Sequence, residues 1–226
     1  SIRHDQAFYL IYTSGSTGHP KGVLVTHAGE ANLLDWAQRE FALTRHDKVL
    51  LTSAIGFDLT QKNFFLPLIS GAQLVFPPAG TFDPDKILDS VAEQQITLLN
   101  CAPSVFYALL AETGAEQRLS SLQQVVLGGE AIQLERLKTW FKSTHFQADL
   151  VNTYGPTECT DIASSHRLLA AELRQALPIT VPLGKAISGV DLVVCDRQLR
   201  AVPDGVAGEL CIAGGGVSRG YWKNAA

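Results

Sequence analysis

The stretch Tyr12-Thr13-Ser14-Gly15-Ser16-Thr17-Gly18-His19-Pro20-Lys21-Gly22 decides how the rest of the chain is read. Seven of its eleven residues are Gly, Ser or Thr, and a lysine stands near its end. Backbone N–H groups, hydroxyl donors and one mobile cation are together what a polyphosphate requires. The segment is not the loop of Walker-type NTPases, which needs Gly-Lys-Ser/Thr opening a helix. Here Pro20 precedes Lys21 and Gly22 follows it. Nor is it a nucleophile elbow, because neither Ser14 nor Ser16 has the Gly-x-Ser-x-Gly spacing. A plain Gly/Ser hairpin connection has the same composition, but the Pro-Lys-Gly ending before a β run favours a phosphate loop.

Outward from the loop, short β-type runs alternate with helical ones. Residues 8–12 and 22–25 read as strands flanking the loop, and 27–42 as a helix with Leu34, Ala37 and Phe41 at helical spacing. Strands are expected at 49–53, 73–76, 97–100, 124–127 and 149–152. Helices are expected at 60–70 (stopped by Gly71), from Asp83-Pro84 to about 95, at 104–112 and at 132–144. Repeated β-α-β of this kind implies an α/β fold with a parallel-rich sheet covered by helices. After about residue 166 the character changes. A helix at 170–176 leads to Pro178 and Pro182, then 190–195 and 209–213 read as antiparallel strands joined through Val202-Pro203-Asp204-Gly205. The expected division is an α/β core over 1–165 and the start of a small antiparallel β-barrel over 166–226.

Composition removes several function classes. Eighteen Lys and Arg against 22 Asp and Glu give a net charge of −4, with no basic cluster for a nucleic acid. No apolar stretch approaches the roughly 18 residues of a membrane span, and no signal peptide opens the chain. Cys101, Cys159, Cys195 and Cys211 are scattered without a Cys-x-x-Cys pair, which disfavours zinc or a disulfide framework and fits a reducing cytoplasm. The 226 residues contain no Met and open on Ser1-Ile2-Arg3, so the chain reads as a piece of a longer one.

With two further motifs in order, the loop resembles the signature of the adenylate-forming superfamily, which includes acyl-CoA ligases, luciferases and the adenylation domains of nonribosomal peptide synthetases. Asn152-Thr153-Tyr154-Gly155-Pro156-Thr157-Glu158 resembles the family's N-x-Y-G-P-T-E segment. Gly208-Glu209-Leu210-Cys211-Ile212-Ala213-Gly214, ending in Arg219-Gly220-Tyr221, resembles its G-E-L-x-I-x-G…R-G-Y segment. The resemblance runs from residue 8 to residue 222. It implies attack of a carboxylate on the α-phosphorus of ATP, giving an acyl-adenylate and pyrophosphate. Phosphate-charge stabilisation then dominates catalysis.

The resemblance further implies roles residue by residue. Thr13, Ser14, Gly15, Ser16, Thr17, Gly18 and Lys21 hold the β- and γ-phosphates. Thr157 contacts the α-phosphate, and Glu158 binds Mg²⁺. Gly128, Gly129, Glu130, Asn152 and Tyr154 form the adenine site. Ordinary alternatives stand beside these: a core aromatic for Tyr154, a helix N-terminal carboxylate for Glu158, and a strand-ending turn for Gly128-Gly129.

Phe57-Asp58-Leu59-Thr60 resembles the amino-acid-activating branch, in which this Asp pairs with the substrate's α-ammonium; helix capping is the alternative use of Asp58. The implied pocket is Asp58, Leu59, Lys62, Asn100, Val126, Gly128, Thr153, Asp161 and Ile162. Its polar members would be stranded by an aliphatic substrate unless Lys62 pairs with Asp161 in the wall, so a polar or hydrogen-bonding amino acid is expected. Lys62 alternatively faces solvent from its helix. The implied partner is a peptidyl carrier domain bearing phosphopantetheine, within the same polypeptide. The motifs are also compatible with an acyl- or aryl-CoA ligase and with a nucleotide-binding module without chemistry. The family's ribose-binding Tyr-x-x-Gly-Asp segment, hinge and lysine-bearing C-terminal subdomain do not occur in these 226 residues. The chain alone is therefore expected not to catalyse adenylation at an appreciable rate.

Overall fold

The computed structural model describes residues 2–14 and 19–223. Strands β1 (Ala7–Thr13) and β2 (Lys21–Thr26) form an antiparallel pair in which Thr13 stands opposite Lys21. The segment read as a phosphate loop thus joins two paired strands, and its residues 15–18 lie outside the described residues. β2 runs directly into α1 (His27–Phe41), where the Thr26 hydroxyl caps the helix by accepting from the Gly29 N–H at 3.1 Å.

Then follow β3 (Lys48–Leu50), α2 (Asp58–Ser70), β4 (Gln73–Val75), α3 (Pro84–Gln94), β5 (Leu98–Cys101), α4 (Pro103–Leu110) and α5 (Ala115–Arg118). Next are β6 (Gln124–Gly128), a 3₁₀ turn (Leu134–Leu137), α6 (Lys138–Lys142), β7 (Asp149–Tyr154) and a second 3₁₀ turn (Thr157–Cys159). The chain continues with β8 (Ser164–Leu168), α7 (Ala170–Gln175), β9 (Lys185–Ala186), β10 (Val190–Cys195) and β11 (Glu209–Gly214). The seven-stranded sheet has the order β4-β3-β5-β6-β7-β8-β9, parallel from β4 to β7 and antiparallel at β8 and β9. β10 and β11 make a separate antiparallel pair. The α/β architecture read from the sequence is the one found.

Side-chain alternation gives the sheet two faces. Leu99, Val125, Leu127 and Leu150 pack with α3 to α7 in one core, which includes Phe106, Trp140 and Phe146. Leu98, Val126 and Val151 pack on the opposite face against Leu33, Trp36 and Ala37 of α1 and Leu66 of α2.

Three local readings are corrected. The helix expected over 132–144 is a 3₁₀ turn followed by one short α-turn. Its buried residues Leu134, Leu137 and Trp140 recur at intervals of three, which a 3₁₀ turn aligns on one side. The strand expected to reach residue 53 pairs only to Leu50. β8, Ser-Ser-His-Arg-Leu, was not expected because it lacks apolar alternation; polar pairing holds it. Arg167 bonds the Glu40 carboxylate of α1 at 3.0 Å, Asp149 at 3.1 Å and the Gln124 side chain at 3.1 Å. β8 spans the 165/166 division and carries the main sheet on to Ala186. The β10–β11 connection reverses at 196–200 and again at Pro203–Val206, where Gly205 takes φ +83°.

Trp140 lies edge-on to Phe106 and Phe146, with ring centroids 5.0 and 4.7 Å away. Its buried indole N–H has no partner among the described residues. Trp140→Ala should lower unfolding stability by about 3–5 kcal/mol in urea titrations. Trp140→Phe keeps a ring, removes the unpartnered donor and should cost less.

Candidate active site

Residues from three distant motifs meet at the hairpin. Residues 219–222 run beside β2: Leu24 N–H donates to Gly220 O at 3.0 Å, Arg219 N–H to Leu24 O at 2.9 Å, and Trp222 N–H to Gly22 O at 2.7 Å. This sets the Tyr221 ring under the Lys21 ammonium, 5.1 Å from nitrogen to centroid. The Tyr221 hydroxyl donates to Glu158 Oε1 at 2.7 Å, which raises its own pKa because ionisation would set two anions together. Lys21, Pro20, Tyr12 and Tyr221 help line a cavity of about 460 Å³. Thr13 Oγ1 faces the Lys21 carbonyl at 3.5 Å, Ser14 is exposed, and Thr157 is half-buried on the 3₁₀ turn that carries Glu158. The Tyr221 contact was missed in the sequence, although its Arg-Gly-Tyr motif was the available signal.

A larger cavity, about 1080 Å³, opens at the C-terminal ends of β6 and β7. Gly129, Glu130, Asn152 and Tyr154 line it, with Leu177 and Ile179 forming a facing wall. Asn152 points to this side and donates to Pro182 O at 2.8 Å, tying the wall to the sheet. Glu130 accepts from the Ser104 N–H at 3.0 Å and the Ser104 hydroxyl at 2.7 Å, so its carboxylate secures the start of α4. Gly128 does not line this cavity. It is buried against Thr153, whose Oγ1 would lie 2.5 Å from any Cβ added there.

The residues of the implied amino-acid pocket gather on the other face of the sheet. Asn100, Val126, Gly128 and Thr153 have the alternation phase of Leu98 and Val151, toward α1 and α2. Asn100 Nδ2 donates to Asn63 Oδ1 of α2 at 2.9 Å. Lys62 does not face solvent. It is 1% exposed, and its ammonium donates to Asp161 Oδ2 at 2.8 Å. Ile162 is buried beside this pair, while Asp58 and Leu59 are half-buried at the start of α2. Asp58 is the first helical residue rather than the cap. The cap position is Phe57, and among the described residues Asp58 Oδ1 accepts only from the adjacent Leu59 N–H, at 2.8 Å.

Asp161 owes its aim to an unusual turn. Thr160 and Asp161 both have positive φ, +58° and +65°, a conformation unfavourable for side chains with a Cβ. Thr160 is held by donation from its hydroxyl to Gly216 O at 2.6 Å. Burial pushes the Asp161 carboxyl up, and the Lys62 ammonium opposes that shift.

One residue absent from the sequence reading belongs here. Glu30, in the first turn of α1, is 2% exposed, and both its carboxylate oxygens lack a partner among the described residues. Its pKa rises from an ordinary 4.5 to about 8, chiefly through burial and then through the negative field of Asp161, with Lys62 opposing and Asp58 adding. The nearby Tyr9 hydroxyl is also buried and unpartnered among the described residues, and burial raises its pKa.

With this geometry in place, comparison with known proteins is direct. Residues 1–222 match the AMP-binding enzyme family, and the chain belongs to it. Tyrocidine synthase 3 of Brevibacillus parabrevis is 40% identical over 97% of this chain, which spans 3% of that protein. The nonribosomal peptide synthetase FmoA3, solved bound to α-methyl-L-serine-AMP, superposes with a TM-score of 0.85 at 31% identity. That match covers 96% of this chain and 24% of that one. An artificially fused adenylation–PCP didomain, NpsA-ThdA from Klebsiella oxytoca, gives a TM-score of 0.83 at 27% identity, over 97% of this chain and 43% of that one. The fold is that of nonribosomal peptide synthetase adenylation domains.

Two stability outcomes follow. Lys62→Met strands a buried carboxylate and should cost about 3–5 kcal/mol in denaturant titrations, whereas adding Asp161→Leu should recover most of the loss. Because the folded pKa of Glu30 lies above its unfolded value, its proton favours the folded state. Stability relative to Glu30→Gln is therefore greatest below about pH 4.5 and is lost as pH rises to about 8. The slope should not exceed about 1.4 kcal/mol per pH unit. Paired unfolding curves of the two proteins from pH 4.5 to 9 check the sign.

Proposed function

We propose that the chain supplies the ATP cradle and acyl pocket of a unit that activates an amino acid as its aminoacyl-adenylate. The acyl group is then loaded onto the phosphopantetheine thiol of a peptidyl carrier domain in nonribosomal peptide synthesis. A carboxylate oxygen of the amino acid attacks the α-phosphorus, and the bond to the bridging oxygen breaks. Pyrophosphate leaves with that electron pair. Lys21 and the loop 13–18 neutralise the departing phosphates, and Thr157 steadies the α-phosphate. The adenine base occupies the cavity lined by Gly129, Glu130, Asn152 and Tyr154.

Glu158 suits one Mg²⁺ ligand position, being a hard carboxylate oxygen donor beside the phosphate loop. Among the described residues no three His, Cys, Asp or Glu side chains gather as a metal cluster, so substrate phosphates and water would complete the shell. The ion would help offset phosphate charge.

The observation that carries the amino-acid reading is the division of charge near the start of α2. Lys62 is committed to Asp161, while half-buried Asp58 has no cationic partner among the described residues. An α-ammonium supplies that partner, and a plain fatty or aryl acid does not. The remaining pocket is polar enough to favour a hydrogen-bonding side chain. In this reading the hairpin of β1 and β2 and the sheet through Ala186 hold the nucleotide and substrate, and β10 and β11 begin a second, β-rich unit. The four free thiols fit a reducing cytoplasm, and no helix of the described residues is long and apolar enough to cross a membrane.

The test is amino-acid-dependent ATP–pyrophosphate exchange by the intact protein that carries this chain. A preferred amino acid with a polar side chain, and exchange reduced by about two orders of magnitude or more in Asp58→Ala, are expected. A clear preference for Leu or Val removes the polar-pocket reading, and indifference to Asp58→Ala favours a CoA-ligase-like acid.

A further inference from the structure

The Lys62–Asp161 pair lies in a wall that contains more acceptors than donors. Among the described residues, Glu30 Oε1, Glu30 Oε2 and Asn100 Oδ1 are all buried without a donor. They reach the pocket side of the sheet from different elements, Glu30 on α1 and Asn100 on β5. α1 is pressed onto the turn that aims Asp161: a Cβ on Gly29 would lie 2.8 Å from Thr160 Oγ1. The charges acting on Glu30 are Asp161 and Asp58, both acidic, and Lys62, the one cation among them. The hydroxyl of Tyr9 on β1 is near enough to feel the Glu30 charge. Three carboxylates thus share one ammonium, and that ammonium is already bonded to Asp161.

An apolar residue at position 30 would fit the adjoining core of Leu33, Trp36 and Ala37 without leaving two carboxylate oxygens unpartnered. The carboxylate has a use if a ligand brings the missing donor. We propose that Glu30 is a specificity-determining residue of the acyl pocket and receives a basic nitrogen at the end of the substrate's side chain. This rests on the amino-acid reading above, in which Asp58 takes the α-ammonium. After that pairing and the Lys62–Asp161 bond, Glu30 is the one carboxylate of the group left without a cation. A side-chain ammonium or guanidinium balances it, and its remaining N–H groups suit Asn100 Oδ1. A hydroxyl or amide brings no positive charge to draw the proton from Glu30.

The experiment is ATP–pyrophosphate exchange by the intact protein across ornithine, lysine, arginine, serine, asparagine, leucine and valine, repeated with Glu30→Gln. Preference for a basic amino acid, with kcat/KM for it lowered by about tenfold or more in Glu30→Gln mainly through KM, supports the proposal. Preference for an uncharged amino acid, or a ranking unchanged by Glu30→Gln, overturns it while leaving amino-acid activation intact. No exchange with any amino acid removes the underlying reading and this inference with it. Calorimetry on the unsubstituted protein near pH 7, in two buffers of different ionisation enthalpy, gives a readout independent of the variant's folding. Binding of the preferred amino acid should release a proton, approaching about one per site, as Glu30 ionises against the incoming cation. Binding without proton release overturns the proposal.

Discussion

Neighbouring residues on an extended strand face opposite ways, and this site is organised by that restriction. On β6 and β7, Val126, Gly128, Val151 and Thr153 turn toward α1 and α2, while Leu127 and Asn152 turn to the other face. The implied acyl pocket and the implied adenine cavity therefore share two strands largely back to back, with Thr153 bordering both. Parallel pairing from β4 to β7 brings all the relevant strand ends to one edge, where α/β sheets bind ligands. The hairpin of β1 and β2 then sets Lys21 at that edge, with the motif around Tyr221 lying alongside.

Much of this was legible because local chemistry and global fold agree. Asp83-Pro84 starts α3, Gly71 ends α2 at φ +72°, and the apolar runs of β5 to β7 are fully buried strands. The Lys62–Asp161 pair was foreseen as an escape from stranded polarity, since pocket residue types alone raise the question of who pairs with whom. β8 was not legible, because a strand held by Arg167 and its carboxylates has no apolar period to read. The 3₁₀ turn at Leu134–Leu137 was taken for α-helix because intervals of three and four look alike over so few residues. Glu30 was invisible for a different reason. A charged residue in the first turn of a helix is ordinary surface chemistry until the tertiary fold buries it.

The electrostatics of the two ligand regions differ in kind. At the hairpin, charge is presented through half-exposed groups whose partners are aromatic or hydroxylic. Behind the sheet, charge is enclosed: burial raises the pKa of Glu30 and of Asp161, and the one lysine is bonded to Asp161. A region of the second kind costs stability wherever buried acceptors go unpaired, as the oxygens of Glu30 and Asn100 do among the described residues. Such a cost is common where a protein is shaped for something it does not always hold.

The Tyr221 ring has a bearing on the hairpin that distance alone does not convey. Lys21 rests on its face and Glu158 holds its hydroxyl, and among the described residues these two opposite charges make no ion pair with each other. The ring is a rigid spacer, long enough to keep an ammonium and a carboxylate from collapsing together and annulling one another. It stores a separated dipole at the sheet edge, with its positive end toward the glycine-rich turn and its negative end toward β7. A polyanion arriving there meets a cation that no neighbouring carboxylate has already claimed.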